Sequence, residues 1–323
     1  MAPAARHARG HGPLTPPSLL LPAARRSDAP ATAAAVQAEL KVSADAIGKN
    51  PKSYPAWHHR QWTVERFRTH VDCALELALC GQLLDADERN FHCWNYRRWL
   101  AVLAGVPPAD ELAYTAQRIR TNFSNYSAWH YRTVLLPALA AAGAGAEPPP
   151  HAAAAPAAPH APLLAIDTLR AELELLRQAV FTEPDDQSPW FYRRWVLGQL
   201  QRHFLLPPAA PAGDERAPRP GGGGGEEPEA AAALVEQDVA LLRELAAVEP
   251  ASKWPLVGIA QALQVLALRP REGGSGGDDA AALAAADELR GLYARLVDMD
   301  PPHAGYYRYC ELALQAGDSG CSS

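Results

Sequence analysis

Apolar residues recur along this chain at helical spacing. Leu169, Leu173, Leu176 and Val180 fall at i, i+4, i+7 and i+11, and Leu289, Leu292 and Leu296 at i, i+3 and i+7. Each set lies on one face of a helix, so each predicts an amphipathic helix with a single buried stripe. Between such stripes stand similar connectors: Asn50-Pro51, Asp87-Glu88, Asn122-Phe123, Glu183-Pro184, Glu249-Pro250 and Asp300-Pro301. The prolines among them suit a helix stop followed by a new first turn. The pattern predicts helical hairpins, the last two in weaker form.

A second pattern is laid over the first. Trp57-His-His-Arg60-Gln-Trp62, Trp94-Asn-Tyr-Arg97-Arg-Trp99, Trp129-His-Tyr-Arg132 and Trp190-Phe-Tyr-Arg193-Arg-Trp195 repeat one motif, with the first three tryptophans 37 and 35 positions apart. That is the period of a helical-hairpin array. At about 100° per residue Trp57 and Arg60 share a face, whereas Trp62 is displaced by roughly 140° and is predicted to meet a different neighbour. A half-buried guanidinium must be satisfied. Arg60, Arg97, Arg132 and Arg193 are therefore predicted to donate to connector carbonyls or to acids such as Asp87 and Glu183. Farther on, Trp254 has Val257 where an arginine belongs, and the last unit offers Tyr306, Tyr307 and Arg308. A terminal repeat tolerates such decay. The predicted fold class is all-α: a crescent-shaped superhelix of stacked antiparallel helical hairpins.

Composition divides the 323 residues. Residues 1–33 read as a low-complexity, disordered N-terminus, and residues 34–323 as the repeat domain with flexible insertions at 137–162, 207–228 and 270–279. Ala, Pro and Gly dominate these stretches, which cannot bury enough apolar surface to offset their ordering entropy. Excising 26 residues from Pro137 to Pro162 shortens the Trp129 to Trp190 interval from 61 to 35, which restores the period. Residues 1–27 hold Arg6, Arg9, Arg25 and Arg26 without an acid, as transit peptides do, but Pro13, Pro16, Pro17 and Pro22 spoil an amphipathic helix.

Charge and cysteine usage exclude several classes. The net charge is −6, with no basic stripe interleaved with aromatics, which argues against nucleic-acid binding. No apolar run reaches the roughly 18 residues of a membrane span. Cys73, Cys80, Cys93, Cys310 and Cys321 form no Cys-x-x-Cys pair, so they read as reduced thiols of a cytoplasmic protein. No Gly-rich phosphate loop, His-Glu-x-x-His or Gly-x-Ser-x-Gly occurs, and no metal site is expected. His58, His59, His92 and His130 lie in or beside the tryptophan motif and read as helix-start residues. Lys52, Tyr54, His58, His59 and His92 gather near helix starts, where free N–H groups and the helix dipole suit an anionic ligand. An ordinary solvated lysine beside a packed tyrosine is the other reading.

The runs Asn50-Pro-Lys-Ser-Tyr-Pro-Ala-Trp-His-His-Arg-Gln-Trp62, Asp87-Glu-Arg-Asn-Phe-His-Cys-Trp-Asn-Tyr-Arg-Arg-Trp99, Thr121 to Arg132 and Glu183 to Trp195 resemble successive repeats of protein prenyltransferase α subunits. The likeness is to the type II, Rab-directed geranylgeranyltransferase branch, covers about residues 36 to 323, and fades beyond Gly198. It implies an obligate heterodimer with a β subunit that carries a catalytic zinc, with magnesium a further ion of the assembled enzyme and no cofactor on this chain. It also implies geranylgeranyl diphosphate as the lipid donor, and Rab GTPases presented by a Rab escort protein as acceptors. In the family a Lys-x-Tyr before the tryptophan reaches the active site at the subunit interface. Here it is Lys52-Ser53-Tyr54, which the resemblance makes contacts to the diphosphate. The residue after it, Pro55, has no side-chain donor, where the α subunit shared by farnesyltransferase and type I geranylgeranyltransferase tends to place a polar residue. That shared subunit, and a tetratricopeptide-like scaffold, are the alternatives; the scaffold's Trp-x-x-Leu-Gly-x-x-Tyr signature is absent.

Overall fold

The computed structural model describes residues 29–143, 162–206, 226–269 and 276–319. Among them are twelve α-helices and no strand. In chain order they are α1 Ala29–Lys49, α2 Tyr54–Arg66, α3 Cys73–Ala86, α4 Phe91–Ala104, α5 Pro108–Thr121, α6 Tyr126–Gly143, α7 Ile166–Thr182, α8 Gln187–Leu205, α9 Glu226–Val248, α10 Trp254–Leu266, α11 Gly276–Met299 and α12 Ala304–Ser319. Two compact units, Met1–Leu100 and Ala101–Ser323, divide within α4.

Odd and even helices pair as hairpins around six connectors of one design. The first connector residue, at 50, 87, 122, 183, 249 or 300, donates its N–H to the carbonyl four residues back and ends the odd helix. Its own carbonyl then accepts from the N–H three residues on, closing the turn. Asn90, Asn125 and Asp186 follow at the helix start, and each accepts main-chain N–H groups on its side-chain oxygen. Within a hairpin the partners run in opposite directions: Cys93 meets the Cys80 carbonyl while Tyr96 meets Glu76, and Tyr192 meets Glu172 while His203 meets the Leu164 carbonyl. The end of α4 is different. Gly105 takes a positive φ of 70°, and Val106 donates to the Ala101 carbonyl, a glycine-terminated cap.

All eight motif residues, Trp57, Arg60, Trp94, Arg97, Trp129, Arg132, Trp190 and Arg193, are buried. The indoles, not the guanidiniums, hold the connectors. Trp57, Trp94, Trp129 and Trp190 each donate Nε1–H to the carbonyl six residues upstream, of Pro51, Glu88, Phe123 and Pro184, at 2.8 Å every time. Arg60, Arg132 and Arg193 turn instead to acids inside the odd helices, so for these the expectation of Asp87 and Glu183 is corrected, while Arg97 Nη1 donates to the Leu77 carbonyl. Arg60 grips Glu76 through Nε (2.8 Å) and Nη2 (2.6 Å), and Arg132 grips Glu172 in the same bidentate way at 2.9 and 2.5 Å. Their Nη1 groups donate to Leu40 O and Ser43 Oγ, and to Leu112 O and Thr115 Oγ1. Asp87 and Glu183 are open enough to water to be hydrated, whereas Glu76 and Glu172 are dry, and a buried guanidinium needs the dry ones.

Each such acid serves two neighbours. Glu76 accepts from Arg60 on α2 and from the Tyr96 hydroxyl on α4 (2.7 Å); Glu172 accepts from Arg132 on α6 and Tyr192 on α8 (2.7 Å). Indole-on-phenol packing runs alongside, with Trp57 against Tyr96 at 5.5 Å and Trp129 against Tyr192 at 5.0 Å. Trp62 is 39% exposed, against His59 and Phe67, so the even helix is not closed on that second side.

The fifth hairpin corrects the sequence frame. Counting six residues from Pro250, as from Pro51 and Pro184, puts buried Leu256 in the tryptophan place and Ile259 in the arginine place. Trp254 lies outside the motif, its ring stacked on Trp190 (6.3 Å) and edgewise to Phe191. Gly258 then takes the tyrosine place, and the space is filled by Arg193, which pairs with Asp238 and donates Nη1–H to the Gly258 carbonyl at 3.1 Å. In the sixth, the Tyr307 hydroxyl donates to Asp300 (2.8 Å), returning to its connector as the indoles do.

Helices also reach into the segments read as flexible. α1 starts at Ala29, α6 continues through Pro137 to Gly143, α9 starts at Glu226 and α11 at Gly276. Alanine-rich sequence such as 138–142 has strong helix propensity, which composition counts hide. The remainder of residues 1–33, 137–162, 207–228 and 270–279 lies mostly outside the described residues.

Candidate functional site

The connector that carries Lys52 is pinned from two sides. The Pro51 carbonyl accepts from Trp57 Nε1 (2.8 Å) in its own hairpin and from Asn90 Nδ2 (3.0 Å) in the next, while the Lys52 N–H donates to Asn50 Oδ1 at 3.1 Å. Pro55 starts α2 with its φ already helical. Because Asn90 also caps α4, through the N–H groups of His92 and Cys93, the starts of α2 and α4 are held side by side. Their unpaired N–H groups and dipole ends give this edge a positive potential.

Two of the sequence candidates project from that edge. Lys52 is exposed, with no acidic partner among the described residues. Tyr54 is 68% exposed, and its ring meets His92 edge to face at 4.2 Å and Phe91 at 6.0 Å. His92 is brought into the same cluster, its ring 3.9 Å from that of the half-exposed Phe91 and tilted 33° to it. Burial lowers its pKa, so the imidazole is neutral at neutral pH. His59 is not part of the cluster: it pairs with Glu39 at 2.9 Å and stacks on Trp62. His130 stacks on Tyr126. Arg89 stands in its repeat where Lys52 stands in the first, five residues before the tryptophan, and is exposed.

The odd-helix acids escaped the sequence reading, although a signal was present. An acid stands 18 residues before each motif tryptophan, as Glu39, Glu76, Glu111 and Glu172, and Asp238 precedes Leu256 by the same interval. Arg89 was also missed, and only alignment of the repeats by connector exposes it.

Chemically, the edge offers one mobile ammonium, one phenol hydroxyl and a neutral imidazole at helix starts, a set that suits an anion with several oxygens. Among the described residues no group of three or more His, Cys, Asp or Glu could hold a metal ion, the four cysteines are free thiols, and no helix is long and apolar enough to cross a membrane.

Comparison with known proteins bears on the same stretch. The protein prenyltransferase alpha subunit repeat matches at residues 36–67, 73–102, 108–139 and 169–200, which are the first four hairpins. The chain is similar to "Geranylgeranyl transferase type-2 subunit alpha" of Rattus norvegicus, 48% identical over 175 residues, and to that of Sus scrofa, 49% identical over 174 residues. Each match covers 54% of this chain and 28% of the relative. "Geranylgeranyl transferase type-2 subunit alpha 2" of Arabidopsis thaliana is 36% identical over 181 residues, 51% of this chain and 24% of the relative. The matched stretch therefore spans about a quarter of the length of these relatives. Residues 36–200 thus carry four protein prenyltransferase alpha subunit repeats, each with its indole on the connector carbonyl and its arginine buried.

Proposed function

We propose that this chain acts as the α subunit of a type-2 geranylgeranyltransferase. Paired with a β subunit, it supports transfer of a geranylgeranyl group from geranylgeranyl diphosphate to C-terminal cysteines of Rab GTPases presented by an escort protein in the cytoplasm. The observation that carries the reading is Lys52: an ammonium with no ionic partner among the described residues, on a connector locked by two hydrogen bonds to one carbonyl, beside Tyr54. The names printed for the relatives support the type-2 assignment.

In the proposed reaction the bond between the first isoprenoid carbon and the diphosphate breaks as the thiolate sulfur attacks. Negative charge gathers on the departing diphosphate, so a cation placed there stabilises the transition state more than the ground state. Lys52 supplies that cation. Tyr54 donates its hydroxyl to the same oxygens. Zinc, and magnesium where it serves, would belong to the partner's side of the site, as the family resemblance implies. When bound there, zinc would supply the Lewis acid that lowers the pKa of the acceptor thiol.

The test is co-expression with a type-2 β subunit and a prenyl-transfer assay on a Rab protein with its escort. Lys52→Ala is expected to lower turnover about 10-fold or more with heterodimer assembly intact. Unchanged turnover removes Lys52 from the mechanism, and a chain that neither pairs with the β subunit nor supports transfer refutes the assignment.

A further inference from the structure

We infer that His92 is a third polar contact of this site, its Nε2–H donating to an oxygen of the diphosphate that Lys52 and Tyr54 meet; the inference rests on the proposed function. Three observations lead to it. First, His92 is only 7% exposed, and its Nε2 is closed to water and has no hydrogen-bond partner among the described residues. A buried polar atom left unmade is costly, and a native fold keeps few of them without a use. Second, the repeat does not need an imidazole there. The same place, two residues before the tryptophan position, holds Pro55, Ser127, Ser188 and Trp254 in the other hairpins. Histidine stands only in the second, where Asn90 holds the α4 start against the Lys52 connector. Third, the ring lies edge to face with Tyr54 at 4.2 Å, so the orphan nitrogen belongs to a cluster that also contains the phenol.

The geometry also indicates how the contact forms. Nε2 is covered, so reaching it requires a neighbouring ring to turn aside. Tyr54, mostly exposed at the first position of α2, is the ring free to do so, and an oxyanion drawn in by Lys52 can then take its place against His92. The neutral imidazole contributes a fixed N–H dipole to the site without repelling the ammonium beside it.

The experiment titrates inorganic pyrophosphate calorimetrically into the heterodimer of the full chain with a type-2 β subunit, for the parent and for His92→Phe, His92→Gln and Lys52→Ala. Phenylalanine keeps a ring against Tyr54 and Phe91 but lacks Nε2. The expected result is pyrophosphate affinity about 10-fold weaker in His92→Phe, with a melting midpoint equal to or above the parent's because an unmade polar atom is gone, and partial recovery in His92→Gln. Unchanged affinity in His92→Phe, with weakened affinity in Lys52→Ala, overturns the His92 contact and leaves the proposed function standing. Unchanged affinity in both variants overturns the diphosphate site itself. Weakened affinity accompanied by a clearly lower midpoint assigns His92 to packing, and overturns the contact as well.

Discussion

Truncating Glu172 to alanine isolates the joint between repeats. Glu172 lies at 4% exposure, and its Oε2 accepts from Arg132 Nε at 2.9 Å and the Tyr192 hydroxyl at 2.7 Å, while Oε1 accepts from Arg132 Nη2 at 2.5 Å. Burial by itself would lower the Arg132 pKa, and Glu172 more than reverses this, so the guanidinium is held charged by its partner. Removing one member of a buried pair costs about 3–5 kcal/mol, because the other charge stays behind without compensation. The Tyr192 hydroxyl is stranded too, at about 1–3 kcal/mol if dry. The space left by the carboxylate can admit water, so the two losses overlap, and the expected total is about 4 kcal/mol. Urea unfolding followed by far-UV circular dichroism measures it, with amide exchange along α6 to α8 to locate the weakened segment. The combined variant Arg132→Met, Glu172→Leu, Tyr192→Phe, which removes the charge pair and the phenol together, is expected to recover to within about 1 kcal/mol of the parent. A loss below about 1 kcal/mol in Glu172→Ala, the range of exposed ion pairs, would refute the argument that the joint is a desolvated charge pair.

Two further outcomes test the fifth and sixth hairpins. In Gly258→Ala the new methyl would sit 2.8 Å from Leu242 Cδ1, 2.9 Å from Trp190 Cζ3 and 3.1 Å from Arg193 Nη1. Helix propensity favours alanine by about 1 kcal/mol, yet overpacking costs about 1–3 kcal/mol, so a net loss in a denaturant series is expected, and a gain would show the niche to be loose. For Asp300, burial raises the carboxyl pKa, but hydrogen bonds from Lys253, His303 and Tyr307 outweigh it and bring it down to about 2. A depressed carboxylate stabilises the fold above its unfolded pKa, and that stability is lost as pH falls from about 4 towards 2. Asp300→Asn should flatten this part of the acid-unfolding curve, by an amount on the order of 1–2 kcal/mol; an unaltered curve would separate Asp300 from acid stability.

The hairpins were legible because two signals coincide: apolar residues at helical spacing and a connector that recurs before each tryptophan. The partners of the arginines were not legible by the same means. A guanidinium can reach 16 or 40 residues along the chain, from Arg60 to Glu76 or from Arg132 to Glu172, and local spacing says nothing about which acid is dry. Trp254 misled for a related reason, since a residue type was followed where the register of the connector was the true marker, and Leu256 carries that register. Composition failed at helix ends, where Ala-rich sequence around 138–142 extends α6. In the site, Lys52 and Tyr54 came from a motif and His92 from its place near a helix start, whereas the orphan nitrogen of His92 showed only once its neighbours could be seen.

The carboxylate clasped from both sides has a bearing on how this chain can grow. Its grip depends on where three side chains meet, and hardly on the length of polypeptide between them: the arginine-to-acid interval is 16 residues at Glu76 and 40 at Glu172. Lengthening a link adds only about 0.6 kcal/mol of closure entropy per doubling. Foreign sequence spliced into 144–161 or 207–225 should therefore leave the stack intact, whereas deleting a single hairpin would leave a carboxylate on one side and a guanidinium on the other without their mates.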